Sequence, residues 1–557
     1  MSSRISTRLQ IVATLAFAAL LTAALVTGTR LIGTANPCHK VLVASSQEKA
    51  GMLKDFADAF NRTLPTVGGQ CVVVSVEQVN SGDAERALAT GWSGPTRPDV
   101  WSPASSAWVK LLAAHVAPAD AAEILPVGSD SLFQSPLVIG MPAQMAAALG
   151  YPAKEVGWAR ILELAHDPRG WAAYGHPEWG QFKLGKTNPT ISTSGLHALI
   201  GVHYAAPGGS NLSTQSVTSP SVQSFVRQIE ASVVHYGQTA TGFLRNLRYA
   251  DDQGELHAFQ YISAIAVEEK ELADYNSGLV AGTQRSVPRV KLVAIYPSGG
   301  SPVADHPYVV LGWSSAQVRA AAVGFERFVK SQKSAIEARN FRFGDPKSSL
   351  AALVLPSGSL PPLVALEPPP GAVLDAMIQG WKQVRKAARV LILIDVAVSA
   401  RDLSAALAAL GAAVTGFSPQ DRVGVWTFPA AGGLPSSHTV LRELAQETAS
   451  LAGLLSKVNA GGRPSDLDGA LRDAVVSMAA SYDRQAIDAV LVLELAPGDE
   501  GATTDLVRFL GSQVPVVRVF TIGPPSPRLQ LIALASGGAS YEPGAASHFL
   551  NDAISNF

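Results

Sequence analysis

The pattern of apolar and polar positions divides the chain before any composition is weighed. An apolar run from Leu9 to Val26 is broken only by Gln10 and small hydroxyl residues, and Arg4, Arg8 and Arg30 flank it. A run of this length spans a bilayer as a helix, and the arginines before it orient its N-terminus toward the cytoplasm. Residues 1–35 read either as an uncleaved signal anchor or as a cleaved signal peptide, with Gly33 and Ala35 supplying a small-x-small site. The length of the run favours the anchor, which makes this a single-pass cell-membrane protein with its bulk outside the cytoplasm. Ala35-Asn36-Pro37 is not a lipidation context for Cys38.

Beyond that run, strand and helix patterns alternate. Lys40–Ala44 and Val72–Val76 read as strands, with helical spacing around Met52–Asn61 and Ala84–Thr90. Strand, crossover helix and strand in this order imply a parallel sheet with helices on its faces. The apolar runs Pro136–Gly140 and Val290–Ile295 bracket a long middle section and predict one crossing into a second lobe and one return. From Leu355 to Gly371 the chain is Pro-rich, the composition of a stiff, extended connector. A helical stretch carrying Trp381 then leads to Val390–Ile394, an apolar strand of the buried parallel type. Arg422–Phe428, Ala489–Leu495 and Val516–Ile522 follow as further strands, giving a second doubly wound α/β region and no internal repeat.

With 47% hydrophobic and 16% charged residues in 557, the chain forms cores rather than disordered tracts. A net charge of -1 argues against nucleic-acid binding, which needs a concentrated basic face. Cys38 and Cys71 are the two cysteines, each just before a β-patterned run. If those runs are neighbouring parallel strands, both thiols lie at one end of a sheet, where an oxidising compartment favours a disulfide.

Several segments together carry a resemblance. Ala44-Ser45-Ser46-Gln47-Glu48-Lys49 follows the first strand and Asn80-Ser81-Gly82-Asp83 the second. Arg97 to Ser106 and Asn188 to Leu196 come next, with Asp274-Tyr275-Asn276, Tyr296-Pro297 and Asp305-His306-Pro307-Tyr308 in agreement. The stretch Lys40–Gly344 thereby resembles bacterial extracellular solute-binding proteins of the type II periplasmic binding class. That resemblance implies two lobes around a ligand cleft. In open α/β sheets such loops gather at the carboxyl ends of strands, where hydroxyls and free N–H groups receive an anion or polar ligand. Ser45, Ser46, Ser81, Gly82, Thr193, Ser194 and Gly195 are the candidate cleft residues. The competing account is that the hydroxyls only cap helices. No charged residue stands out as a counter-charge, so an oxyanion, a polyol and a peptide all stay open.

Gly180-Gln181-Phe182-Lys183-Leu184-Gly185-Lys186-Thr187 spells the phosphate-loop motif. That motif needs a buried strand before it and a helix opening at its Lys-Thr. Gly175–Trp179 is no strand and Pro189 stands where the helix would run, so Phe182–Gly185 reads as a strand entering the second lobe.

Ile394-Asp395-Val396-Ala397-Val398-Ser399, Phe417 to Phe428, Ser465 to Leu471 and Phe520 to Gly523 make the last segment resemble a von Willebrand factor type A domain. The resemblance implies a metal-ion-dependent adhesion site: an Asp-x-Ser-x-Ser loop, a Thr, and an Asp after a later strand. Such a site holds magnesium with one position open for a partner carboxylate. Asp395 and Ser399 match, Ala397 replaces the first Ser, and Ser465 stands in for the Thr. Leu495 falls where the Asp belongs, and alternation along the strand points neighbouring Glu494 the other way. These losses predict magnesium held weakly or not at all, and no other cofactor.

The eleven His residues are dispersed, without His-Glu-x-x-His or Gly-x-Ser-x-Gly. Asp251-Asp252 and Glu268-Glu269 read as solvated faces or turns. The expected architecture is α/β: a transmembrane helix at 1–35, a bilobed type II periplasmic-binding-protein-like domain at 36–345, a linker at 346–372 and a Rossmann-like type A domain at 373–557. The expected function is non-enzymatic capture of a small or polymeric ligand, with a protein or envelope partner on the type A domain. A receptor for an ABC-type transporter and a scaffold with a vestigial cleft are the alternatives.

Overall fold

The computed structural model describes residues 38–541 except 93–95, 118–119, 121–123, 126–129, 210, 281–282, 345–347, 430–437, 447–449, 462–466 and 496–502. The apolar run at 1–35 lies outside the described residues, and among them no helix is long and apolar enough to cross a membrane.

In the first lobe β1 (His39–Ser45) lies between β2 (Gln70–Gln78) and β3 (Val100–Ser102), all parallel. The later strand Pro307–Val310 runs antiparallel to β3 and joins Asp130–Ser131 to the sheet. Helices α1 (Gln47–Arg62), α2 (Ser81–Ala89) and α3 (Ser106–His115) follow these three strands. Met52, Leu53, Phe56 and Phe60 recur at helical spacing on α1 and bury against Val41, Val43, Val72 and Val74. His39 stands opposite Val72, so Cys38 and Cys71 meet in the expected disulfide, with a Cα separation of 4.6 Å.

The second lobe contains β4 (Ser135–Pro142), β5 (Leu184–Thr187), β6 (Val233–Gly237), β7 (Ala264–Glu268) and β8 (Ser301–Ala304), in spatial order β8-β4-β7-β5-β6. Every residue of β4 is buried, the signature of a strand covered on both faces. Helices α4 (Thr193–Ala205), α5 (Pro220–Ala231), α6 (Ala240–Gln253) and α7 (Glu269–Ser277) pack around it. The strand expected to return to the first lobe, Leu292–Ile295, instead pairs with β4 inside the second sheet. The lobes are joined by the segments before β4 and after β8, and by a third around Arg342. Leu132 N donates to His306 O (3.1 Å), and Gln134 and Arg342 exchange backbone hydrogen bonds of 2.8 and 2.9 Å. An apolar run records burial, which a central strand of either sheet shows alike, so the pattern could not say which lobe Leu292–Ile295 joins. His306 holds a left-handed φ of +42°, uncommon for a residue with a side chain.

The C-terminal region runs α8 (Gly371–Val384), β9 (Ala387–Asp395), α9 (Ala400–Ala413), β10 (Arg422–Phe428), α10 (Leu467–Ala480), β11 (Ala486–Leu493), β12 (Arg518–Ile522) and α11 (Pro527–Ala535). Its sheet is parallel in the order β10-β9-β11-β12, with Ser540–Tyr541 at one edge and antiparallel Thr439–Ala445 at the other. That last strand was not predicted: as an edge it is nowhere fully buried and carries Arg442 and Glu443.

The Pro-rich stretch turns at 356–358 and then runs without helix to Pro370, and it is not a free spacer. Ala365 and Leu366 pair with Ser301 and Pro302 of β8. Lys110 Nζ of α3 donates to Pro368 O (2.6 Å) and Tyr204 OH of α4 to Glu367 O (3.0 Å). Helix α8 then buries Leu374, Met377, Ile378 and Trp381 in one continuous core with Leu111 and Leu112 of α3 and Val222, Val226 and Ile229 of α5.

Candidate functional site

The predicted cleft loops meet at the seam between the lobes. Gly82 N donates to Ile191 O across it (3.1 Å). A Cβ on Gly82 would stand 2.1 Å from Thr190 O, and one on Gly195 2.3 Å from Thr187 O, so glycine alone lets these backbones touch. Ser81 Oγ accepts from Ala104 N (3.1 Å) and lies 3.5 Å from Thr193 Oγ1, which accepts from Trp108 Nε1 (2.8 Å). Ser45 Oγ donates to Ser46 O (3.2 Å), and Ser46 Oγ bonds both the Glu48 carboxylate and the Lys49 ammonium. Ser194 is buried beside them in the first turn of α4. The N-cap residues Ser46, Asn80 and Ser192 make no side-chain cap bond to α1, α2 or α4. The hydroxyls are thus not simple caps; they bind one another and neighbouring groups. Between them remains a cavity of about 30 Å³, large enough for a water molecule.

A charged cluster, unforeseen in the sequence, fills the seam. Lys49 Nζ is fully buried and reaches Ser46 Oγ, Pro103 O (3.0 Å) and Glu48 Oε1 (3.3 Å). His306 places Nδ1 3.5 Å from Glu48 of the first lobe and Nε2 3.5 Å from Glu268 of the second. Its ring packs against Phe133 and Phe341, with centroids 4.9 and 5.1 Å away, and those two rings also touch each other at 4.3 Å. Glu269 takes a forked pair of hydrogen bonds from Arg342 (2.7 and 2.5 Å). The expectation that Glu268 and Glu269 are solvated is therefore wrong: they are 2% and 0% exposed. Asp251 is also buried, accepting from Arg248, Arg289 N and Val290 N. Glu269 finds Arg342, and Asp251 the backbone N–H groups of Arg289 and Val290, far along the chain, while Glu268 Oε2 is buried with no hydrogen-bond partner among the described residues; a local polar pair reveals none of this.

Burial dominates the electrostatics here. It pushes Lys49 down from its ordinary value, although Glu48 pulls the other way. It lifts Glu268 well above the carboxylate range, with the Glu48 charge adding to the effect. His306 is pushed down to about 4 by burial and by Lys49. For Glu48, burial is the largest single influence, yet Lys49 and His306 together hold its carboxyl below the usual range.

Beside the seam a chamber of about 270 Å³ opens between α1 on one side and α6 and α7 on the other. Glu48, Met52, Lys270, Glu271, Tyr275 and Phe341 form its principal walls. Lys270 pairs with Asp274, which also accepts from Asn340 Nδ2 (2.7 Å). Thr241 donates to Glu271 (2.7 Å), and burial lifts the Glu271 carboxyl to about 7. The volume lies near the lower end for small-molecule sites, roughly 300–1,000 Å³.

The phosphate-loop spelling has no phosphate chemistry behind it. Its last four residues form β5, two residues beyond the predicted start, and α4 opens only at Thr193. Lys186 is fully buried against Glu230, which also accepts from Trp381 Nε1 of α8 (3.1 Å).

At the carboxyl end of the C-terminal sheet, Asp395 is buried and accepts from Ala397 N (2.9 Å). Ser399 Oγ caps α9 through Asp402 N (3.2 Å) and donates to the Asp402 carboxylate (2.6 Å). Ser465 lies outside the described residues. Glu494 does not point away as alternation suggested. Ile394 pairs with Leu493, so the next residues in register, Asp395 and Glu494, share a face. Arg528 of α11 bridges Glu494 (3.2 Å) and Asp468 of α10 (2.9 Å). Burial raises the Glu494 carboxyl; Arg528 opposes this, and the charges of Asp395 and Asp468 reinforce it. Among the described residues no group of three or more His, Cys, Asp or Glu side chains is placed to hold a metal ion.

Residues 41–338, more than half of the chain, match the bacterial extracellular solute-binding protein family, and the chain belongs to that family. Two uncharacterized proteins of Mycobacterium tuberculosis are each 24% identical to it over 403 residues. The match covers 70% of this chain and 55% of theirs, so the chain spans about half the length of these relatives. Among solved structures, the periplasmic binding protein AfuA from Actinobacillus pleuropneumoniae is 12% identical, covering 62% of this chain and 98% of its own, with a TM-score of 0.41. The SpRpn10 VWA domain is 14% identical over 30% of this chain and 94% of its own, with a TM-score of 0.24.

Proposed function

We propose that the chain is a non-enzymatic extracytoplasmic binding protein that takes a small polar solute into the chamber between α1, α6 and α7. The observation that carries this reading is the chamber itself, walled by both lobes and presenting buried Lys270 and Glu271. On this reading, residues 1–35 anchor the chain to the membrane and the C-terminal domain meets a protein or envelope partner. Delivery to an ABC-type transporter is its narrower form. A scaffold role is favoured by one observation, the occupation of the seam by Lys49 and His306.

The test is thermal unfolding of the full chain against oxyanions, sugars, amino acids and cell-wall fragments. A ligand at a hundred times its dissociation constant adds about 2.7 kcal/mol. The Glu271→Gln variant should lose most of that gain. A shift untouched by Glu271→Gln would place the ligand elsewhere, and silence across the panel would favour the scaffold.

A further inference from the structure

The type A resemblance implies a divalent cation at the carboxyl end of the C-terminal sheet, and the described residues there do not fit one. Ala397 has no side-chain oxygen to offer. Asp395 Oδ1 is engaged by Ala397 N, and Ser399 Oγ by Asp402. The carboxylates of Asp468 and Glu494 already hold the Arg528 guanidinium. We propose that Arg528 is the built-in cation of this domain, balancing the carboxylates that converge at the sheet end so that the domain needs no divalent ion.

The placement of Arg528 is built into the fold. It is the second residue of α11, whose start is fixed by Ser526 Oγ accepting from Leu529 N (3.4 Å). Gly523 lets the chain pass directly over Glu494: a Cβ there would stand 2.7 Å from Glu494 O and 2.5 Å from Leu529 Cδ1. Arg528 is 8% and Glu494 2% exposed, so a dissolved ion meets the Glu494 carboxylate only by displacing the arginine, while Asp468, at 23%, forms the outer side of the bridge. A guanidinium suits the task, because its planar fork bridges two carboxylates at once. It differs from a metal in one respect that matters for partners. A metal with an open position draws in a partner's carboxylate, whereas the Arg528 guanidinium engages Asp468 and Glu494 through its two terminal nitrogens, leaves only its buried Nε–H unpaired among the described residues, and offers no site for direct coordination. Partner binding at this face would then be insensitive to chelators.

The test uses the purified full chain, with Mg²⁺, Mn²⁺ and EDTA as probes. Wild-type unfolding curves should superimpose in all three, and electron paramagnetic resonance should show Mn²⁺ remaining free. Arg528→Ala should unfold at a lower temperature in EDTA and regain part of the loss in Mg²⁺ or Mn²⁺. Arg528→Lys, which keeps the charge, should lose less and stay insensitive to metal. If Arg528→Ala does not fold, the wild-type titration and Arg528→Lys decide the matter. Stoichiometric Mn²⁺ binding or a Mg²⁺-dependent shift in wild type overturns the proposal. So does an Arg528→Ala variant that loses stability with no metal response, or loses none at all.

Discussion

The seam between the lobes and the end of the C-terminal sheet invite comparison. Both lie where parallel strands deliver loops and helix N-termini, the place at which open α/β sheets receive something from outside. In both, a lysine or arginine of the chain already stands among the carboxylates: Lys49 near Glu48, and Arg528 between Asp468 and Glu494. The difference lies in the kind of cation and its surroundings. Lys49 is an ammonium shared with a hydroxyl and a backbone carbonyl, next to a chamber of about 270 Å³ walled in part by its neighbour Glu48. Burial also loosens its proton. A guanidinium keeps its charge at every pH at which proteins fold and binds through a rigid fork. One region is therefore adjustable and adjoins open space, while the other is fixed.

The largest effect should come from removing the adjustable cation. Lys49→Met removes a fully buried ammonium from beside the Glu48 carboxylate, which is 10% exposed at the chamber wall, and breaking such a pair from one side costs up to about 3–5 kcal/mol. Denaturant unfolding measures it, and a loss under ~1 kcal/mol would break the likeness between the two regions. Gly82→Ala tests whether the seam is as tight as its contacts indicate. The new methyl would lie 2.1 Å from Thr190 O, and overpacking of this kind costs about 1–3 kcal/mol. Small-angle scattering should also show a larger radius of gyration as the lobes part.

The smallest effect concerns pH. Glu271 binds its proton more tightly in the folded chain, with a pKa of about 7, than at its ordinary 4.5. Its contribution is complete below pH 4.5 and declines as pH rises through about 7, because the buried carboxyl must then ionise. Glu271→Gln should flatten that decline in unfolding temperatures measured across the interval. An unchanged slope would assign it to other groups around the chamber.

The sequence made the strands of both α/β regions legible, because buried parallel strands such as Val390–Ile394 are apolar throughout and cannot be mistaken for loops. It also made the disulfide legible, since Cys38 and Cys71 precede strands that lie side by side. The hydroxyl loops named as cleft candidates lie at the seam, where they bind one another and neighbouring groups. Whether Ser81 faces a ligand or Ala104 N depends on how far the lobes close, and the closure rests on contacts such as Gly82 to Ile191. The charged residues stayed hidden for a related reason. Glu268 answers to His306, and Glu494 to Arg528, over separations that no local pattern spans. For Glu494 a cue was available in the pairing of two strands, which alternation along one strand does not contain.

Helix α8 is shared between the two halves of the molecule. By sequence it introduces the C-terminal sheet, yet its apolar face fills a furrow between α3 and α5, and its indole completes the environment of Glu230. A protein truncated in the Pro-rich stretch would surrender that helix, bare the furrow to water and leave Glu230 with Lys186 and Tyr236 but without the Trp381 donor. The halves are thus a graft rather than beads on a string: α8 belongs to the C-terminal half by sequence and to the core lined by α3 and α5 by its buried face.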